Sequence, residues 1–111
     1  MSQRITTYHE FWPHYLREHA KPETRAIHFL GTGISTASLV AMLVTGNPLF
    51  IAMALVGGYG PAWFAHFVIE RNRPATFQYP LWSLASDYRM TFVWLTGHLG
   101  EELVKAGLSS R

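Results

Sequence analysis

Between Arg25 and Glu70 the chain carries no Asp, Glu, Lys or Arg, so residues 26–69 form an uncharged run of 44. A helix that crosses a bilayer needs about 20 consecutive apolar residues, so the run is long enough for two crossings and a tight turn. Thr45-Gly46-Asn47-Pro48 supplies the turn near its middle, with Pro48 suited to the first turn of the next helix. The sequence therefore predicts an all-α membrane protein built on a transmembrane hairpin, residues 26–44 and 49–70. A soluble bundle is the alternative, but the rest of a 111-residue chain is too short to cover two wholly apolar helices.

The charge map also orients the hairpin. Arg17, Lys21 and Arg25 precede it, Arg71 and Arg73 follow it, and the turn has no basic residue. Cytoplasmic flanks are enriched in Lys and Arg, which predicts a multi-pass protein of the bacterial inner membrane with both termini cytoplasmic. The first 25 residues are polar and mixed in charge, so no cleavable signal peptide is expected there. A net charge of +2 is too small for a nucleic-acid footprint. The absence of cysteine excludes thiolate metal sites, iron–sulfur clusters and thiol nucleophiles, leaving histidine and carboxylate as metal donors.

The flanks read as amphipathic helices around the hairpin, in a single domain spanning 1–111. Residues 6–20 mix Phe11, Trp12, Tyr15 and Leu16 with Glu10, Arg17 and Glu18, the composition of an interfacial helix. Residues 81–106 carry Met90, Leu95, Leu99 and Leu103 at helical spacing and are expected to form one amphipathic helix. Trp12, Trp63, Trp82 and Trp94 suit positions near lipid headgroups. Within the second span, Gly57-Gly58-Tyr59-Gly60-Pro61 predicts a kink or break, or else a close helix–helix contact.

His28 lies 19 residues before Asn47 and His66 lies 19 residues after it, so an antiparallel hairpin holds them at similar depth. Glu70 follows His66 by four residues, one α-helical turn along the same face. Two imidazoles and a carboxylate make the inventory of a non-haem iron(II) facial triad. His19 can fold back as a further ligand. The same residues also have a plain reading: interfacial histidines are ordinary, and Glu70 can pair with Arg71 or Arg73. His9 and His14 suit a solvated face, while His98 can turn towards the site or towards water.

Two blocks carry a family resemblance. The run from His19 through Pro22 to His28 (HAKPETRAIH) and the run from Trp63 through His66 and Glu70 to Pro74-Ala75 (WFAHFVIERNRPA) resemble the signatures of a group of small membrane proteins. Its fungal endoplasmic-reticulum member is the 2-hydroxy fatty acid dioxygenase of fatty-acid α-oxidation. The resemblance covers most of residues 15–75, and the stretch from Trp82 through Asp87 to Met90 is similar to the tail of short bacterial members. It implies a dioxygenase that uses Fe2+ and molecular oxygen to shorten a 2-hydroxy fatty acid by one carbon. His19, His28, His66 and Glu70 then fall on the catalytic and metal-binding positions. Thr24 stands where the fungal enzyme has asparagine, and the segment between His28 and His66 is shorter here.

A 2-hydroxy acid chelates a metal through its carboxylate and hydroxyl, and its acyl tail would lie among the hairpin helices or in lipid. Arg25 and Arg73 are the expected substrate-binding residues, since guanidinium groups pair bidentately with carboxylates. Anchoring to anionic headgroups is the other use of these arginines. The expected partners are a lipid-derived substrate and the membrane, with no nucleic acid. Two spanning helices also make a bundle thin enough to favour a homo-oligomer. The competing functions are a non-catalytic membrane hairpin that binds other proteins, and metal handling without oxidation.

Overall fold

The computed structural model describes residues 5–74 and 77–108, and every regular element among them is helical. In chain order these are α1 (Tyr8–Arg17), α2 (Pro22–Thr45), α3 (Leu49–Phe64), a π-helical turn (Ala65–Glu70) that continues α3, α4 (Pro80–Leu95) and α5 (Leu99–Lys105). They fall into two compact units, α2 with α3 and its π-helical turn, and α1 with α4 and α5.

The uncharged run becomes the first of these units, an antiparallel hairpin. Its first helix begins at Pro22 rather than at 26, because a proline at the first helical position forfeits no bond and brings Glu23, Thr24 and Arg25 into the helix. The helix stops at Gly46, whose N–H donates to the Met42 carbonyl at 2.7 Å. Asn47 then accepts the Leu49 N–H through Oδ1 at 3.0 Å and starts α3. Both arms are long and apolar enough to cross a membrane, and only 17% and 22% of their most apolar windows are buried. The core helix of a soluble protein would be mostly covered; here Leu43, Val44, Leu49 and Val56 are exposed. The buried positions are small or polar, among them Gly31, Ser38, Ala54 and Ala62.

That inversion is how helices pack when lipid surrounds them, with small residues at the seam. At Gly31 a β-carbon would sit 3.1 and 3.2 Å from the carbonyl oxygens of Gly57 and Gly58, so the two backbones meet there directly. Nearby, the Ser35 hydroxyl donates to the Ala54 carbonyl at 2.8 Å. The glycine-rich segment of α3 thus serves close contact, and α3 runs through it and through Pro61 unbroken. Breaking a helix away from water would orphan several backbone groups, whereas an internal proline forfeits one bond. The irregularity appears just beyond, where the winding widens to π over Ala65–Glu70.

The second unit has an aromatic core. From α1, Phe11, Trp12, Tyr15 and Leu16 are buried; Ser83, Ser86 and Met90 come from α4, and Leu99 and Leu103 from α5. Thr7 caps α1 by accepting the Glu10 N–H, so that helix is shorter than the expected 6–20. Trp12 donates through Nε1 to Glu102 at 2.8 Å, and the Arg89 guanidinium lies over the Trp12 ring at 4.1 Å. The outer side of α4 presents Leu81, Leu84, Phe92 and Leu95, as an amphipathic flank should. The expected single helix 81–106 is divided in two. Gly97, at φ +82, lets the chain turn in the left-handed region. The His98 and Gly97 N–H groups then donate back to Val93 and Trp94, closing α4 with a Schellman motif.

Inside this unit the Tyr15 hydroxyl donates to Asp87 Oδ1. Burial pushes the Asp87 carboxyl up from its ordinary 3.8 to about 7, against the opposing pull of the Tyr15 hydrogen bond. Burial and the neighbouring carboxylate likewise push the Tyr15 phenol well up. A carboxyl whose folded value is raised binds its proton more tightly in the native state. Its contribution to stability is therefore complete below 3.8 and is lost as pH rises to about 7. Asp87→Asn, which keeps an acceptor for Tyr15, should flatten that part of the stability–pH curve and raise stability at pH 8, measured by thermal unfolding in detergent. In the hairpin, Gly31→Ala should cost about 1–3 kcal/mol by overpacking. Gly33→Ala, with nothing within 4 Å of its β-carbon, should be neutral or stabilising in the same assay.

Candidate metal centre

The six histidines separate by burial. His9 and His98 are exposed, the latter 3.9 Å from Glu101, and His14 lies 3.7 Å from Glu18 in a half-exposed pair. His19, His28 and His66 are only 1%, 4% and 2% exposed. A buried imidazole needs its polar atoms engaged, and in all three the Nδ1 atom is engaged in the same manner.

His28, on α2, places Nδ1 3.0 Å from the Thr24 carbonyl. His19, just past the end of α1, places Nδ1 2.7 Å from the Tyr15 carbonyl and packs its ring on the Tyr15 ring at 4.1 Å. His66 lies in the π-helical turn, with Nδ1 2.7 Å from Asn72 Oδ1. Arg71, in the left-handed conformation at φ 59, turns the chain back so that the Asn72 N–H also donates to the His66 carbonyl at 2.9 Å. Each of these oxygens can only accept, so each ring donates through Nδ1–H, and the lone pair resides on Nε2. Fixing one ring nitrogen to an oxygen is the support that metal-ligating histidines receive.

The His28 and His66 rings stand edge to face, with centroids 5.1 Å apart and planes at 88°. Within the hairpin unit, His28 and His66 are thus two buried imidazoles side by side, candidate ligands for one metal ion. Neutral imidazoles suit iron, zinc, copper or nickel better than calcium or magnesium. They add no negative charge, so a divalent ion held there would retain its charge for an anionic ligand.

Glu70 is not in that group. Its Oε2 accepts the Lys21 N–H at 2.7 Å, at the residue that caps α2, while Lys21 Nζ donates to the Ile69 carbonyl at 3.1 Å. The chain winds as a π-helix over Ala65–Glu70, and the carboxylate at its end is taken up by the Lys21 amide. Glu70 thus supplies the start of α2 with the acceptor that a capping-box glutamate provides from within its own helix. Arg25 is buried and coupled electrostatically to Glu70 and Glu23, whereas Arg73 is exposed. Ala75, the last residue of the second sequence block, lies outside the described residues. Sequence reasoning did not single out Asn72, whose sole trace was a polar residue soon after the helix, and it named Thr24 only as a departure from the family's asparagine.

A family model described as 2-hydroxy-palmitic acid dioxygenase Mpo1-like matches residues 5–99, a span that includes all three buried histidines. No curated protein and no solved structure matches the chain.

The cap at Lys21 separates two roles for Glu70. Glu70→Ala should lower stability by about 0.5–2 kcal/mol, the scale of a lost helix cap. Glu70→Gln keeps an acceptor oxygen and should retain most of that stability, read from thermal unfolding followed by circular dichroism.

Proposed function

The chain belongs to the Mpo1-like family, and from that premise we propose that it is a membrane-bound, iron(II)-dependent dioxygenase that shortens 2-hydroxy fatty acids by one carbon. The observation that carries this reading is the buried pair of imidazoles in the hairpin, His28 and His66, edge to face and each with Nδ1 tied to an oxygen. These two residues, joined by His19 as the family resemblance implies, would hold the iron, which when bound supplies the site where dioxygen and the acid's two adjacent oxygens meet.

The rest is work for the chain's own groups. The Tyr15 and Thr24 carbonyls and the Asn72 side chain hold the three rings in the tautomer that offers Nε2. A donor set without carboxylate favours a substrate that brings its own negative charge, and the carboxylate of a 2-hydroxy acid does so. Arg25, three residues before His28 and buried, is the cation placed to balance that carboxylate. Arg73, being exposed, is left to headgroups or to an entering acid. The large apolar residues on the outside of α2 and α3 give the acyl tail a surface continuous with lipid. The reaction balances with one molecule of dioxygen: the C1–C2 bond breaks, C1 leaves as carbon dioxide, C2 becomes the new carboxyl, and water is formed.

The test is iron content after anaerobic Fe(II) loading in mild detergent, followed by oxygen uptake with 2-hydroxypalmitate. The unaltered protein should bind iron and consume oxygen, and His28→Ala and His66→Ala should abolish both with helicity intact. Asn72→Ala should weaken metal affinity by about 10–100-fold, as the loss of an outer-shell partner does. A well-folded protein that takes up no iron would overturn the reading.

A further inference from the structure

Thr24 is fully buried, at 0% exposure, and its hydroxyl is the buried side-chain atom without a hydrogen-bond partner among the described residues. Four hydroxyl residues elsewhere in these helices bond back to the carbonyl four residues earlier: Ser38 to Ile34, Thr45 to Ala41, Thr91 to Asp87 and Thr96 to Phe92. Thr24 does not. A buried hydroxyl left unsatisfied costs folding free energy, and valine would fill the same space without that cost. The position of Thr24 suggests what the cost serves. It lies one helical turn before His28 on α2, its own carbonyl accepts the His28 Nδ1–H at 3.0 Å, and the His28 ring meets the His66 ring. Residues four apart share a helix face, so the hydroxyl belongs to the face that carries His28.

We propose that the Thr24 hydroxyl donates a hydrogen bond to a carboxylate oxygen of the bound 2-hydroxy acid, fixing the head of the acid beside His28 and His66. This deepens the dioxygenase reading and rests on it. The hydroxyl brings one donor to an acceptor-only group, and Arg25, the next residue along and also buried, brings the balancing charge. In this arrangement Thr24 contacts substrate while the imidazoles contact metal, so the two functions separate on mutation.

The experiment compares the unaltered chain with Thr24→Val and Thr24→Ser, each loaded anaerobically with Fe(II). It reads three quantities: the thermal midpoint without acid, iron stoichiometry, and affinity for 2-hydroxypalmitate with oxygen excluded. Thr24→Val should keep or raise the midpoint and keep its iron, yet bind the acid about tenfold more weakly. Thr24→Ser, which retains the donor, should recover most of that affinity. Unchanged acid affinity in Thr24→Val would mean that the hydroxyl is satisfied by an ordered water, and would overturn the assignment while leaving the dioxygenase reading intact. A lowered midpoint with unchanged affinity would assign Thr24 to the fold and overturn it equally. If the unaltered chain takes up no iron, or takes up iron but no acid, the functional reading fails and this assignment falls with it.

Discussion

The contact of Gly31 with the carbonyls of Gly57 and Gly58 is the constraint on which the hairpin depends. Two helices whose outer faces are lined with Leu, Val and Phe gain little from one another in a medium as apolar as they are, so their register is set where small residues allow the backbones to touch. The Ser35 bond to the Ala54 carbonyl lies in the same seam and fixes rotation as well as distance. At its polar end, Glu70 on the Lys21 amide and Lys21 on the Ile69 carbonyl tie the start of one arm to the end of the other. Between these two fastenings the rings of His28 and His66 come edge to face. A looser seam would still give two helices but would leave those rings without a fixed separation.

Much of this was legible in the residues, and the reasons are physical. The uncharged run and the Gly46–Pro48 turn point to a hairpin because two helices joined by a turn keep the backbone bonds of 44 uncharged residues satisfied in lipid. The equal spacing of His28 and His66 about Asn47 follows from that hairpin alone. Glu70 shows where such reasoning ends. The pattern sets it one turn beyond His66, but it does not encode that the Lys21 amide, 49 residues away in the chain, engages the carboxylate. Asn72 was hidden for a related reason: it reaches His66 because Arg71 adopts a left-handed conformation that an arginine does not advertise. Gly97 did carry a signal for the break between α4 and α5, but the apolar spacing running through it masked the stop.

On the proposed function, Glu70 serves as a helix cap and histidine alone is left as metal donor, which bears on the chemistry. A two-histidine, one-carboxylate set neutralises part of a divalent ion's charge; a three-histidine set neutralises none. In a buried, low-dielectric setting that difference is large, and at the proposed site it would shift selectivity towards ligands that arrive as anions with two oxygens in chelating reach. On the proposed function, a histidine donor set and the apolar exterior of the hairpin both suit an acid with a long aliphatic tail.

The aromatic unit answers the remaining question of how His19 is held without a regular element of its own. It follows the cap of α1, where a side chain would ordinarily be poorly fixed, yet its Nδ1 bonds the Tyr15 carbonyl and its ring lies on the Tyr15 ring. Tyr15 is fully buried and is pinned at its far end by the Asp87 carboxyl, while the Asp87 carbonyl is engaged by Thr91. The orientation of His19 is therefore inherited from the packing of α1 on α4, through a phenol bound at one end and a backbone carbonyl at the other. An aspartate buried at the cost of a raised carboxyl value makes sense in these terms, because it is the fixed point from which that chain of contacts starts.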